Sequence, residues 1–277
     1  MRKPDMASNA NSDVRTPRYE PAALVAEDVV VTYGGVRAVD GVSLRADPGM
    51  VTGLIGPNGA GKSSLIGVFA GAQKSTHGLI CLGDQDITSL SPHRRSDMGL
   101  ARTFQTARVF GRLSVLENVM AGEKHAKPGG LTSAILERRS WRAREDATTD
   151  RAFAYLTEFG MADKAETRCG ELSGGQRRII EYLRVLMARP RAILLDEPTV
   201  GMAPWLLARL KEDLRRLCSE GVSILLVGHE MSFIREVCDL VVVMANGKII
   251  ARGEFDEIAK DETVQQAYLG RRVVGAR

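Results

Sequence analysis

The chain lacks any long apolar stretch. Its 277 residues contain only short runs such as Ser223-Ile224-Leu225-Leu226-Val227, far below the roughly 20 residues that a bilayer span requires. That excludes a transmembrane helix, so membrane association has to pass through a partner or a surface. Cysteine is scarce: Cys81, Cys169, Cys218 and Cys238 stand far apart and show no metal-type pairing. They read as free thiols of a reducing compartment, not as a disulfide framework or a zinc site. No apolar segment follows Met1-Arg2-Lys3-Pro4, so a secretory signal is not expected there. An excess of one charge is missing too. With 38 Lys+Arg against 34 Asp+Glu the net charge is +4, and it is spread out, unlike the concentrated basic stripe of a nucleic-acid binder.

What is present is ordinary for a soluble globular protein: 44% hydrophobic and 26% charged residues. The first 22 residues, rich in Asn, Ser, Asp, Arg and Pro, read as a disordered tail. Residues 23–270 are expected to form one domain, and 271–277 a C-terminal tail. Val29–Tyr33 is β-branched and aromatic, Gly34-Gly35 supplies a tight turn, and Val36–Leu44 runs back. Val51–Ile55 is a short apolar run that ends in a glycine-rich loop, with helical character after it. A charged, helix-prone stretch with apolar residues at helical spacing (Leu113, Leu116, Val119, Met120) suggests an inserted helical subdomain within about 106–190. Ala192–Leu195, Ile224–Val227 and Leu240–Met244 are further buried-strand runs. Leu206, Leu210, Leu214 and Leu217 share one helical face, and Asn246-Gly247 signals a hairpin. The expectation is an α/β fold with a mostly parallel core sheet, an N-terminal antiparallel β subdomain and an inserted helical subdomain.

Three segments carry chemistry. Gly56-Pro57-Asn58-Gly59-Ala60-Gly61-Lys62-Ser63, followed by Ser64, fits G-x-x-x-x-G-K-[ST] between a strand and a helix. The glycines let several N–H groups turn toward one anion, and the helix adds its N-terminal dipole. Lys62 can reach β/γ-phosphates, and the Ser63 hydroxyl can ligate Mg²⁺. Asp196 and Glu197 close a buried strand. Alone, the pair reads equally well as an acidic helix start. Beside a phosphate loop, Asp196 suits Mg²⁺ and Glu197 suits the base for an attacking water. Leu172-Ser173-Gly174-Gly175-Gln176 precedes a helix. Read bare, it is an N-cap; it can also be a second N–H nest for phosphate. One nucleotide does not need two nests from one chain, so the second is expected to serve a nucleotide held mainly by another copy.

Tyr33, Gly56–Ser63, Gln105, Leu172–Gln176, Ala192–Glu197 and His229 occur in the order found in ATP-binding cassette (ABC) ATPase subunits, which the chain resembles from about Leu24 to Leu269. This is the fold expectation of a P-loop NTPase. A finer likeness lies in Gly99–Gln105, Leu116–Val119, Gly201–Pro204 and Ala267–Gly270, which look like the importer ATPases for branched-chain amino acids. Urea and amide importers share much of that pattern, and lipopolysaccharide-export cassettes are similarly compact.

The resemblance implies ATP and Mg²⁺ as ligands. Tyr33 would stack on adenine; Lys62 and Gly56–Ser64 would hold the phosphates. Ser63, Gln105 and Asp196 would serve the metal, and Gln105 would sense the γ-phosphate. Glu197 would act as base with His229 beside it, and Ser173, Gly174, Gly175 and Gln176 would touch ATP on the opposite subunit. It also implies partners: a second ABC ATPase subunit (a paralogue ahead of an identical copy), two membrane-spanning permease subunits, and a periplasmic solute-binding protein indirectly. No nucleic acid is implied, and the place is the cytoplasmic face of the inner membrane. Ribosome- or DNA-directed relatives are disfavoured by a single phosphate loop and no sustained heptad run. A non-hydrolysing adaptor is disfavoured by intact Glu197 and His229. Two departures stand out: Ala203 where an Asp is usual, and Gly228 where an acidic residue usually precedes the histidine.

Overall fold

The computed structural model describes residues 20–104, 107–123 and 138–269. Two sheets organise them. The smaller is antiparallel, in the order β2-β1-β4-β5, built from β1 (Leu24–Tyr33), β2 (Val36–Ala46), β4 (His77–Leu82) and β5 (Gln85–Asp86). The larger has the order β10-β9-β3-β8-β7-β6 and joins β3 (Val51–Ile55), β6 (Leu100–Arg102), β7 (Ala192–Asp196), β8 (Ser223–Val227), β9 (Leu240–Ala245) and β10 (Lys248–Gly253). Its pairs are parallel except β9–β10, a hairpin closed by Asn246 and Gly247 at φ of 50° and 79°, the left-handed pair that such a turn requires. Strands β3, β7 and β8 are buried along their whole length, which explains why they read as unbroken apolar runs with no alternation.

Helix α1 (Lys62–Phe69) follows β3 and fills the core between the two sheets with Leu65, Ile66, Val68 and Phe69. Helix α2 (Pro92–Asp97) precedes β6. Helices α3 (Val115–Met120), α4 (Arg138–Glu158) and α5 (Gly174–Met187) pack on one another as the expected helical insertion. Helix α6 (Pro204–Ser219) buries Leu206, Leu210, Leu214 and Leu217, the face that the leucine spacing indicates. The described chain closes with α7 (Met231–Val237), α8 (Phe255–Ile258) and α9 (Glu262–Leu269).

The folded unit begins slightly earlier than the composition suggests. Ala22 is buried, and its carbonyl accepts the Ser223 hydroxyl at 2.6 Å; residues 1–19 and 270–277 lie outside the described residues. All four cysteines are free, and burial pushes the thiols of Cys218 and Cys238 up to about 12. No helix among the described residues is long and apolar enough to cross a membrane.

Candidate functional site

Parallel register brings three loops to one sheet edge. Leu54 of β3 pairs with Val227 of β8, and Val227 pairs with Asp196 of β7. The residues that follow each strand therefore leave the sheet side by side: Gly56 after β3, Gly228 and His229 after β8, Glu197 after β7. Ligands of open α/β sheets bind at this carboxyl edge.

The loop after β3 is fixed by close backbone contacts. A Cβ on Gly56 (φ 146°) would lie 2.1 Å from the Met244 carbonyl oxygen, and one on Gly61 (φ 103°) 2.2 Å from that of Ala38. Both positions exclude side chains on space as well as on backbone angle. The Ala60 N–H donates to Pro57 O at 3.1 Å, and Lys62 Nζ arches over the loop to Gly56 O (2.6 Å) and Pro57 O (3.0 Å). Helix α1 starts at Lys62 with no side-chain cap and no acidic residue in its first turn. Its N-terminal N–H groups and dipole are thus directed at the loop, the arrangement that receives a phosphate. Tyr33, half exposed at the end of β1, points its hydroxyl to Ser64 Oγ (3.5 Å) and donates to Gln73 Oε1. This brings its ring to the flank of the loop helix.

Asp196 is buried at the end of β7. Its Oδ2 accepts from Arg102 at 3.1 Å, and its N–H donates to Thr103 Oγ1 at 3.3 Å. Glu197 has φ of 49°, the left-handed region that a residue with a Cβ seldom occupies. Two bonds hold it there: its N–H donates to Val227 O at 2.8 Å, and Arg178 donates to its carbonyl at 3.1 Å. The Glu197 carboxylate Oε1 lies 3.6 Å from Nδ1 of the exposed His229. Phosphate loop, Asp196, Glu197 and His229, all expected from sequence, are thus gathered at one edge.

Ser173 is the N-cap of α5 in a reciprocal capping box: Gln176 N–H donates to Ser173 Oγ (3.3 Å) and Ser173 N–H to Gln176 Oε1 (3.1 Å). Thus the N-cap reading of this segment is correct in itself. Leu172 is buried, while Ser173 and Gly174 are exposed. Gln105 lies outside the described residues. Of the remaining histidines, His77 and His93 are exposed as expected, and His125 lies outside the described residues.

Sequence reasoning missed Arg102 and Arg178, which hold Asp196 and the Glu197 carbonyl. Both reach across more than a dozen residues to a backbone or carboxylate partner, and no spacing rule announces such a contact. Ala203 stands at the N-cap of α6 and makes no side-chain cap bond.

Fold and loop define a phosphate-loop nucleoside triphosphatase. The family described as ABC transporter matches residues 39–200. A probable branched-chain amino acid transport ATP-binding protein, LivG, of Methanocaldococcus jannaschii is 35% identical over 248 residues, 88% of this chain and 96% of that protein. The high-affinity LivG of Escherichia coli is 32% identical over 87% of this chain and 95% of its own. The lipopolysaccharide export system ATP-binding protein LptB of E. coli is 34% identical over 90% and 98%. Among solved structures, the ADP conformation of an ATP-binding cassette of an ABC transporter superposes with a TM-score of 0.76 at 34% identity, covering 90% of this chain and 99% of that one. The chain belongs to the ABC transporter family of ATP-binding proteins and is an ATPase subunit of that kind, with the core fold expected from its sequence.

Proposed function

We propose that the chain powers an importer of branched-chain or other amino acids, working from the cytoplasmic face of the membrane against two permease subunits. Both LivG proteins, similar over nearly their full length, support the substrate class. LptB is equally similar in length and identity, so lipopolysaccharide export is the second reading. Co-purification from the native membrane separates the two: a periplasmic solute-binding system with two permeases supports import, and lipopolysaccharide bound to the complex supports export.

In this reading two cassettes close around ATP. Gly56–Ser64 of one subunit holds the phosphates, Tyr33 stacks on the adenine, and Ser173, Gly174, Gly175 and Gln176 of the facing subunit cover the γ-phosphate. The donor chemistry of the edge fits Mg²⁺, a hard ion that takes oxygen ligands. The Ser63 hydroxyl, the Gln105 side chain and the Asp196 carboxylate, the last through water, would hold it, and it would offset the charge of the β- and γ-phosphates. Glu197 orients the attacking water and accepts its proton as the bond to the γ-phosphorus forms and ADP leaves. His229 donates to a γ-phosphate oxygen and keeps the Glu197 carboxylate aimed. Positioning and charge stabilisation supply most of the rate. Loss of the bridging γ-phosphate lets the halves separate, and that differential binding energy moves the permeases.

The observation that carries the reading is the His229–Glu197 approach of 3.6 Å, beside a Glu197 backbone pinned in the left-handed region. Glu197→Gln should cut phosphate release by at least about a hundredfold while equilibrium ATP binding stays at the parental level. Hydrolysis at the parental rate would remove Glu197 from the base role.

A further inference from the structure

The Tyr33 ring stands at the open end of a strand. Gly34 and Gly35 follow it at φ of 51° and 92°, so β1 stops there and turns away, and Tyr33 is left 51% exposed. A tyrosine so placed swings on two side-chain torsions unless something takes its hydroxyl. Gln73 takes it. The Tyr33 hydroxyl donates to Gln73 Oε1, with Ser64 Oγ 3.5 Å away.

Gln73 is itself held in place. Its N–H donates to Gly67 O at 3.0 Å. Its side chain lies back along α1, where a Cβ built on Gly67 would come 3.4 Å from Gln73 Cβ and 3.5 Å from Oε1. Three residues on, the Thr76 N–H donates to Val30 O at 2.7 Å, and Thr76 Oγ1 accepts from the Thr32 N–H at 3.2 Å. The segment that carries Gln73 is thus bonded both to the helix that begins in the phosphate loop and to the strand that ends in Tyr33.

A hydrogen bond at an accessible site adds little to stability, because water replaces either partner at small cost. Stability therefore does not account for the pair; orientation does. A side chain that must be ordered when a ligand binds weakens that binding, and one ordered beforehand by the fold does not.

We propose that Gln73 is a positioning residue of the nucleotide site: it holds the Tyr33 ring beside the phosphate loop before the nucleotide arrives, so that the base meets a ring already in place. This rests on the reading of Tyr33 as the residue that stacks on adenine. Gln73 acts through Tyr33, not on the phosphates.

The test is equilibrium binding by the full-length chain with Mg²⁺. Two probes are compared: ADP, which carries the base and is not turned over, and inorganic pyrophosphate, which carries none. Gln73→Met keeps the side-chain length and removes the acceptor; Tyr33→Phe keeps the ring and removes the donor. Each should raise the Kd for ADP about threefold to tenfold, the cost of ordering one side chain on binding. The Kd for pyrophosphate should stay within about twofold of the parent. The double variant should bind ADP no more weakly than the weaker single variant, because both changes break one bond. Parental or tighter ADP binding by Gln73→Met overturns the proposal. So does an equal loss for pyrophosphate, which would make Gln73 a brace of α1 alone, and so do losses that multiply in the double variant. Tyr33→Ala at the parental ADP affinity removes the stacking reading and the proposal together. Weakened ADP binding by Tyr33→Ala beside parental binding by Gln73→Met removes the proposal alone. Should Gln73→Met not fold, Tyr33→Phe carries the same measurement with the same outcomes.

Discussion

Glu197 and the two glycines of the Ser173 segment show how single residues are chosen by quite different demands. At φ of 49°, Glu197 carries a backbone cost of order 1–2 kcal/mol. Fold alone would favour glycine there; a carboxylate beside His229 is the reason to keep the strain. Gly174 and Gly175 are adjacent and chemically identical, yet nothing lies within 4 Å of a Cβ built on Gly174, whereas one on Gly175 would meet Gly201 O at 2.3 Å and Met202 Cα at 2.9 Å. Gly175 is therefore demanded by the fold, and Gly174 only by what approaches from outside. Gly175→Ala should cost about 1–3 kcal/mol of unfolding free energy. Gly174→Ala should leave the urea midpoint unchanged or slightly raised, and should lose ATP hydrolysis instead. Equal destabilisation by the two changes, measured by urea denaturation, would contradict this division. The sequence marks both as glycine in a motif, but it cannot say which is which, because the distinction depends on a backbone 26 residues away.

At the scale of elements, the loop helix α1 depends on a residue that its own sequence does not announce. Its C-terminal carbonyls at Val68 and Phe69 accept from the buried Arg95, with Phe69 O at 2.7 Å; the same guanidinium serves Leu90 O at 3.0 Å and Thr88 O at 2.8 Å. Desolvation lowers the Arg95 pKa from its ordinary value, but four carbonyls repay the burial, and among the described residues no carboxylate is hydrogen-bonded to it. Arg95→Met should lower stability by about 2–4 kcal/mol, since it strands several buried acceptors, and should weaken nucleotide binding because α1 begins in the phosphate loop. A variant within 0.5 kcal/mol of the parent by calorimetry, a change usual for surface sites, would sink that role. Nothing in the spacing of Pro92–Asp97 marks Arg95 for burial, so this contact was invisible in the sequence. The elements themselves were legible: the apolar runs became β3, β7, β8 and β9, and the leucine stripe became the buried face of α6. Most boundaries moved by one or two residues where tertiary pairing extended them, as in β2, which continues to Ala46, while β1 begins five residues earlier, at Leu24.

For the whole molecule, the edge that gathers Gly56, Glu197 and His229 was legible because its parts are local motifs at strand ends, and parallel register converts that order into proximity. What was not legible is the wiring across the core: Arg102 to Asp196 and Arg178 to Glu197. Long flexible side chains choose partners only after the sheets and helices have packed. The phosphate loop and the α5 start belong to different parts of the fold. The first rises from the large sheet beside β9, and the second opens the helical group of α3, α4 and α5. The proposed function gives each nucleotide two cassettes. The most direct measurement is a crystal or cryo-electron structure of Glu197→Gln with ATP and Mg²⁺ and its facing cassette. The predicted result is a triphosphate contacted by Gly56–Ser64 of one protomer and by Ser173–Gln176 of the other. A triphosphate enclosed by one protomer alone, with the Ser173 helix start touching no phosphate, would contradict it.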